Sequence, residues 1–232
     1  GLARPEIPGW NYTHTVATAR PRPIPMGNGL LVTPQAGLEA LETADTVVVP
    51  AWGGPDRYVE PAAAEALRAA HGRGARLVSE CTGAFAIAAT GLLDGKRATT
   101  HWMYAAEMAE RYPRIHVDPT VLYVDEHPIY TSAGTAAGID LCLHLVRLDL
   151  GAEAANCVAR RMVVPPHRDG GQAQFMRAPM PECPADDPLG PVLTGMVEHL
   201  DEQVTVEQLA QKAATIPRTF ARRFVETTGT TP

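Results

Sequence analysis

Cys81 stands where a thiol can react. It follows the short apolar run Leu77 to Ser79 and precedes Thr82 and Gly83, which open an Ala-rich segment. That order spells a strand, a tight bend and a helix. A thiol at such a bend meets free backbone N–H groups and the positive end of a helix dipole, both of which favour the thiolate. One chemistry on offer is nucleophilic attack by Cys81, with His101 as base and the N–H groups of Thr82 and the Gly53-Gly54 loop as an oxyanion hole. The Gly-x-nucleophile-x-Gly pattern of hydrolase elbows is half met, with Gly83 present and Ser79 in place of the first glycine. Alternatively, Gly53, Gly54, Cys81 and Thr82 line a pocket that binds a small molecule without turnover. Oxidation of the thiol to a sulfenic acid would make the same residue a redox sensor. The plainest alternatives are that Cys81 is a small residue filling a crowded bend and that His101 hydrogen-bonds at a strand end.

A second set of residues lies near the end of the chain. Thr205 and Gln208 form a capping-box pattern, and Val206, Leu209, Ala210 and Ala213 follow at helical spacing. After a short turn, Pro217 begins a second helix that carries Phe220 and Phe224 on one face and ends before Gly229. Two short helices joined tightly outline a helix-turn-helix. On a helical wheel Arg218 and Arg222 lie roughly 140° and 180° from the apolar centre and point outward together, with Thr219 nearby. Arg223 falls on a flank about 80° away, where a phosphate contact is easier than a base contact. These four residues suit DNA binding, and a solvated basic face on a helix hairpin is the bland alternative.

The elements between must position both sets. Thr46 to Pro50 is a β-branched run without alternation, which predicts a strand covered on both faces of a parallel sheet. Pro61 opens a helix that two late glycines end, Arg76 to Glu80 is the next strand, and helix follows over Thr82 to Leu93. A short strand at Ala98 to Thr100 and a helix over Trp102 to Tyr112 continue the alternation. A strand is also expected at Trp10 to Thr18, another at Leu30 to Thr33, and a hairpin within 115–131 turning near Asp125-Glu126. Gly134 to Leu150 reads as an apolar helix and Ala152 to Val164 as an amphipathic one. Alternation of this kind predicts an α/β fold, a doubly wound, mostly parallel sheet of flavodoxin type with ligands at the carboxyl ends of its strands. Proline and glycine crowd the stretch 165–190, where His167 is a surface residue. The expected division is an α/β domain over 1–164, a linker over 165–190 and a small all-α segment over 191–232.

Composition narrows the classes further. Four cysteines, Cys81, Cys142, Cys157 and Cys183, show no CxxC pair and no zinc-type His spacing, so neither a disulfide framework nor a metal or other cofactor is expected. Cys142 and Cys157 fall in apolar helices and read as core. The net charge of −6 excludes whole-surface attraction to nucleic acid and leaves only a local patch. No apolar run is long enough to span a membrane and no signal-peptide pattern opens the chain, so a cytoplasmic protein without a membrane partner is expected.

Three stretches, SECTGAFAIAATGLLDGKRATTHW, RRMVVPPHRDGGQAQF and VTVEQLAQKAATIPRTFARRFVETTG, together resemble the GlxA-type members of the AraC/XylS transcription regulators. In these a ThiJ/PfpI-like domain, related to class I glutamine amidotransferases, precedes an AraC-type DNA-binding domain. The resemblance implies a bacterial-type regulator that binds operator DNA, responds to a small-molecule effector and pairs as a homodimer, for which the apolar helix from Ile139 offers a face. The family pattern begins with a further strand and helix and ends with two helix-turn-helix units. The chain is therefore expected to be truncated at both ends and to bind DNA weakly. Many ThiJ/PfpI-like hydrolases have His directly after the cysteine, where this chain has Thr82, and their acidic partner comes from the earlier segment. A sensor domain on an enzyme-like scaffold is thus the expected role, with Cys81 and His101 vestigial. A cysteine hydrolase or an isonitrile hydratase, which shares Cys-Thr-Gly, is the enzymatic alternative.

Overall fold

The computed structural model describes residues 7, 9–20, 22–25, 29–174, 189–198 and 204–228. The chain divides into two compact units, 1–174 and 175–232.

In the first unit, strands β1 (Ile24–Pro25) and β2 (Leu31–Val32) form a small antiparallel pair. The expected strand at Trp10 to Thr18 is extended chain whose backbone meets a neighbour only around Ala17 and Ala36. Its Trp10 and Tyr12 instead pack against the long helix described below. Strand β3 (Thr46–Val49), helix α1 (Pro61–Gly72) and strand β4 (Arg76–Glu80) form a β-α-β unit of parallel strands, with Thr46 opposite Arg76 and Val49 opposite Ser79. Pro61 stands at the helix start, where its missing N–H costs nothing.

Helix α2 (Gly83–Ala88) is shorter than its sequence pattern. The Thr90 hydroxyl bonds the Ile87 carbonyl at 2.6 Å, and Gly91 turns the chain with φ of 80°. Strand β5 (Arg97–Ala98), helix α3 (Trp102–Arg111) and strand β6 (His116–Val117) follow, β5 and β6 pairing in parallel apart from the main sheet. Strands β7 (Tyr123–Glu126) and β8 (Ile129–Ser132) make the expected hairpin. The main sheet runs β3-β4-β8-β7, parallel except for β7. The two apolar patterns after Gly134 join as one helix, α4 (Ala136–Met162), kinked at Gly151, whose φ of 85° and ψ of 173° are not helical.

Helices lie on both faces of this sheet. Leu77 of β4 packs with α1, α2 and Met108 of α3, while the next residue, Val78, packs with Leu141 and Leu145 of α4. Alternation along one strand thus feeds two cores. β3 departs from the expected two-sided burial: Val47 and Val49 are buried, but Val48 is 50% exposed. α4 lies over β7 and β8 and leaves that side of the edge strand uncovered.

Of the Pro- and Gly-rich stretch, residues 165–174 pack onto the first unit and 175–188, including Cys183, lie outside the described residues. The second unit contains α5 (Leu189–Glu198), α6 (Val206–Lys212) and α7 (Pro217–Thr228). Leu189, Val192, Leu209, Ala210, Ala213, Phe220 and Phe224 form its core.

Candidate functional site

Cys81 ends β4 with φ of 52°, a left-handed conformation that a non-glycine residue adopts only when its surroundings enforce it. They do so from three sides. Its N–H donates to the Ser132 carbonyl at 3.0 Å, and its own carbonyl accepts from the Thr100 hydroxyl at 2.8 Å. Gly134, itself at φ of 88°, lies so close that a Cβ there would sit 2.4 Å from the Cys81 Cβ. On the next turn, a Cβ at Gly83 would meet the Val49 carbonyl oxygen at 2.2 Å, so α2 starts jammed against the end of β3.

Thr82 is buried, and its hydroxyl accepts from the Trp52 N–H at 2.9 Å. This bond fastens the Gly53-Gly54 loop to the cysteine bend. Gly53 and Gly54 have φ of 85° and 129°, which side-chain-bearing residues rarely adopt. The structure therefore brings Gly53, Gly54, Cys81 and Thr82 into one loop cluster at the carboxyl ends of β3 and β4. Beside it, the indole Nε1 of Trp52 is buried with no hydrogen-bond partner among the described residues.

His101 caps the start of α3. Its Nδ1 accepts from the Met103 N–H at 3.3 Å, and its ring lies 5.5 Å from that of Trp102 and 6.1 Å from that of Tyr104. A neutral imidazole whose Nδ1 accepts carries its proton on Nε2 and presents a donor there. Among the described residues the Cys81 thiol makes no hydrogen bond to a histidine or a carboxylate and enters no disulfide. The neighbouring Glu80 is engaged elsewhere, its carboxylate 3.9 Å from the Cys142 sulfur. Cys142 is not the core residue its helix suggested: it is partly exposed at a groove lined by Trp10, Glu80, Thr135, Ile139 and Val158 among others. Burial of the sulfur and the nearby Glu80 charge push its thiol up to about 11. Cys157 is half-buried against Ile7 and Ala154, and His167 is exposed.

Residues the sequence reading passed over complete this loop cluster. Thr99 and Thr100 are fully buried, and the Thr99 N–H donates to the Thr131 hydroxyl at 2.8 Å. Gln174, from the Pro- and Gly-rich stretch, is buried among the same backbone groups. No periodicity marks such residues; the only signal was the unusual Thr-Thr-His run before a helix. Among the described residues no group of histidines, cysteines or carboxylates is placed to hold a metal ion, and no helix is long and apolar enough to cross a membrane.

In the second unit the capping box is formed: Gln208 N–H donates to the Thr205 hydroxyl at 3.3 Å and Thr205 N–H to the Gln208 side chain at 2.8 Å. Ala214 turns the chain with φ of 50°, and Phe220 and Phe224 are buried with ring centroids 5.7 Å apart. Arg218 and Arg222 are exposed, and Thr219 and Arg223 half-buried. Arg218 and Arg222 therefore sit on the helix side opposite its core, with Thr219 and Arg223 nearer the flanks.

Comparison with known proteins places this geometry. The DJ-1/PfpI family profile matches residues 9–148, more than half of the chain. The HTH-type transcriptional regulator CdhR of Pseudomonas aeruginosa is 32% identical over 92% of this chain and 63% of its own length. The isonitrile hydratase of Pseudomonas putida is 30% identical over 62% of each. An AraC family transcriptional regulator from Pseudomonas putida superposes with a TM-score of 0.59 over 67% of this chain and 83% of that one, at 21% identity, a likeness of fold. The chain spans less than two thirds of the length of CdhR and about half that of a second such regulator, GbdR. A strand, a left-handed cysteine bend and a short helix inside a flavodoxin-like sheet, together with the profile match, lead to one conclusion: the chain belongs to the DJ-1/PfpI family.

Proposed function

We propose that this chain serves a cytoplasmic, DNA-binding transcriptional regulator of the AraC type, whose DJ-1/PfpI domain senses a small metabolite at the Cys81 loop cluster. The observation that carries this reading is the pairing of two features. A capped helix-turn-helix with an outward basic face follows a cysteine bend whose thiol lacks a histidine or carboxylate hydrogen-bond partner among the described residues. Similarity to CdhR over most of the chain supports it. Gly53, Gly54, Cys81 and Thr82 would line the effector site, with His101 as a donor through Nε2 and the unpaired Trp52 indole N–H close by. Arg218, Thr219 and Arg222 would face the DNA bases, and Arg223 a phosphate. A homodimer fits the paired half-sites that such readers use.

The test is enrichment of bound fragments when the full chain is mixed with sheared genomic DNA of its source and recovered by affinity tag. A defined set of fragments should be enriched, and Arg218→Ala with Arg222→Ala should abolish the enrichment. A wild-type chain that recovers only random fragments would defeat the reading.

Similarity to isonitrile hydratase keeps an enzymatic reading in view, with Cys81 as nucleophile. That reading demands turnover of an isonitrile that Cys81→Ala stops. The lack of a histidine or carboxylate hydrogen-bond partner for the Cys81 thiol among the described residues weighs against it.

A further inference from the structure

The segment that leaves the first unit is fastened to the Cys81 loop cluster through one side chain. Gln174 is 7% exposed. Its Nε2 lies 3.2 Å from the Thr99 hydroxyl, 3.1 Å from the Thr100 carbonyl and 2.9 Å from the Val121 carbonyl, and its Oε1 accepts from the Trp102 N–H at 2.9 Å. The amide's two N–H donors are shared among these three oxygens, so its donor side is saturated. His101 lies between Thr100 and Trp102, and the backbone on both sides of it is therefore bonded to Gln174. The Thr100 hydroxyl carries the connection on to the Cys81 carbonyl.

The strap that bears Gln174 has its own anchors. Leu122 N–H donates to the Gly170 carbonyl at 2.7 Å, Gln174 N–H to the Thr120 carbonyl at 3.0 Å, and the Arg168 guanidinium bonds Asp140. A Cβ at Gly170 would sit 2.7 Å from the Tyr123 ring, so the strap lies flat on β7. Holding the strap down thus needs no help from the Gln174 side chain, yet three of its four bonds reach residues 99–102. We infer that Gln174 is a positioning residue that transmits displacement of the Thr99–Trp102 loop, on which His101 sits, to the strap leading out of the first unit. A buried amide cannot release one of these partners without leaving it unsatisfied, so loop and strap shift together. The inference deepens the sensor reading and rests on it for its biological meaning, since an effector touching His101 would be felt where the chain departs toward its helix-turn-helix.

Hydrogen exchange of the full chain, followed by residue, tests it without any effector. His101→Ala perturbs the loop. With Gln174 present, it should change exchange at residues 168–174 several-fold. With Gln174→Met the same His101→Ala change should alter residues 99–103 and leave 168–174 unchanged. Gln174→Glu keeps the acceptor for the Trp102 N–H and loses the donors, and it serves in the same comparison should Gln174→Met fail to fold. A strap that responds to His101→Ala equally with and without the Gln174 amide, or that does not respond at all, overturns the proposal. No DNA enters the experiment. Its failure therefore leaves the regulator reading standing, and absence of DNA binding leaves the coupling measurable.

Discussion

At the scale of single residues, the chemistry of this domain is decided by backbone strain and by which thiol is kept quiet. Gly134 touches the Cys81 Cβ and holds φ of 88°, so Gly134→Ala adds both a steric clash and a strained dihedral. Such substitutions cost about 3 kcal/mol or more, and urea denaturation should show a loss of that size, with Ser132→Ala, which spares the bend, costing less. The two thiols offer a contrast in reactivity. Cys142, pushed up to about 11 by burial and by Glu80, is overwhelmingly protonated at pH 8. Its alkylation by iodoacetamide in the native chain should be slow at pH 8 and rise about tenfold per pH unit toward 11. Removing the carboxylate with Glu80→Gln should bring the thiol down and speed the reaction at pH 8. Equal rates in both chains would mean that burial alone sets the value.

At the scale of elements, one ion pair and one cap each hold several pieces in place. Arg76 of β4 grips Asp149 of α4 through two bonds of 2.7 and 2.8 Å, its Nε bonds the Thr46 hydroxyl of β3, and the Tyr12 hydroxyl donates to the same carboxylate at 2.6 Å. The Arg76 bond holds the Asp149 carboxyl below its ordinary range. A depressed carboxyl stabilises the fold above the unfolded value and loses that contribution as pH falls through the folded one. Asp149→Asn should therefore cost about 2 kcal/mol at pH 7, and the gap between variant and parent should close as pH falls below the ordinary carboxylate range, as measured by urea titration. In the second unit Thr205→Ala should cost about 1 kcal/mol by breaking the capping box. That box was legible in the sequence because capping is local, and the same holds for Pro61 and for the cysteine bend. The elements that were misjudged depend on distant neighbours. β3 has the composition of a two-sided strand, but α4 does not reach it. Trp10 to Thr18 alternates like a strand, yet its backbone finds a partner only near Ala36. Gln174 sits in a stretch whose proline and glycine content reads as spacer, and nothing local reveals that its amide is buried against residues 74 and 75 positions earlier in the chain.

For the whole molecule, the governing quantity is charge. The chain carries −6, so its overall field opposes a polyanion and any affinity for DNA must arise locally. The stretch 175–232 is itself acidic in sequence, with Arg177, Lys212, Arg218, Arg222 and Arg223 against eight carboxylates, so positive charge is local to α7, which carries Arg218, Arg222 and Arg223 against Glu226. Of these, Arg218 and Arg222 are exposed on the side away from Phe220 and Phe224, and Arg223 is half-buried on a flank. Each phosphate neutralised releases counterions, so the logarithm of the affinity falls linearly with the logarithm of salt concentration, with a slope near the number of contacts. For a random-sequence duplex the full chain should show a small slope, and Arg223→Ala should reduce it by about 1, the loss of one phosphate contact. Fluorescence anisotropy across a salt series measures both slopes. A slope indifferent to Arg223 would move the phosphate-contacting surface off α7 and leave the capped helix pair as a structural element alone.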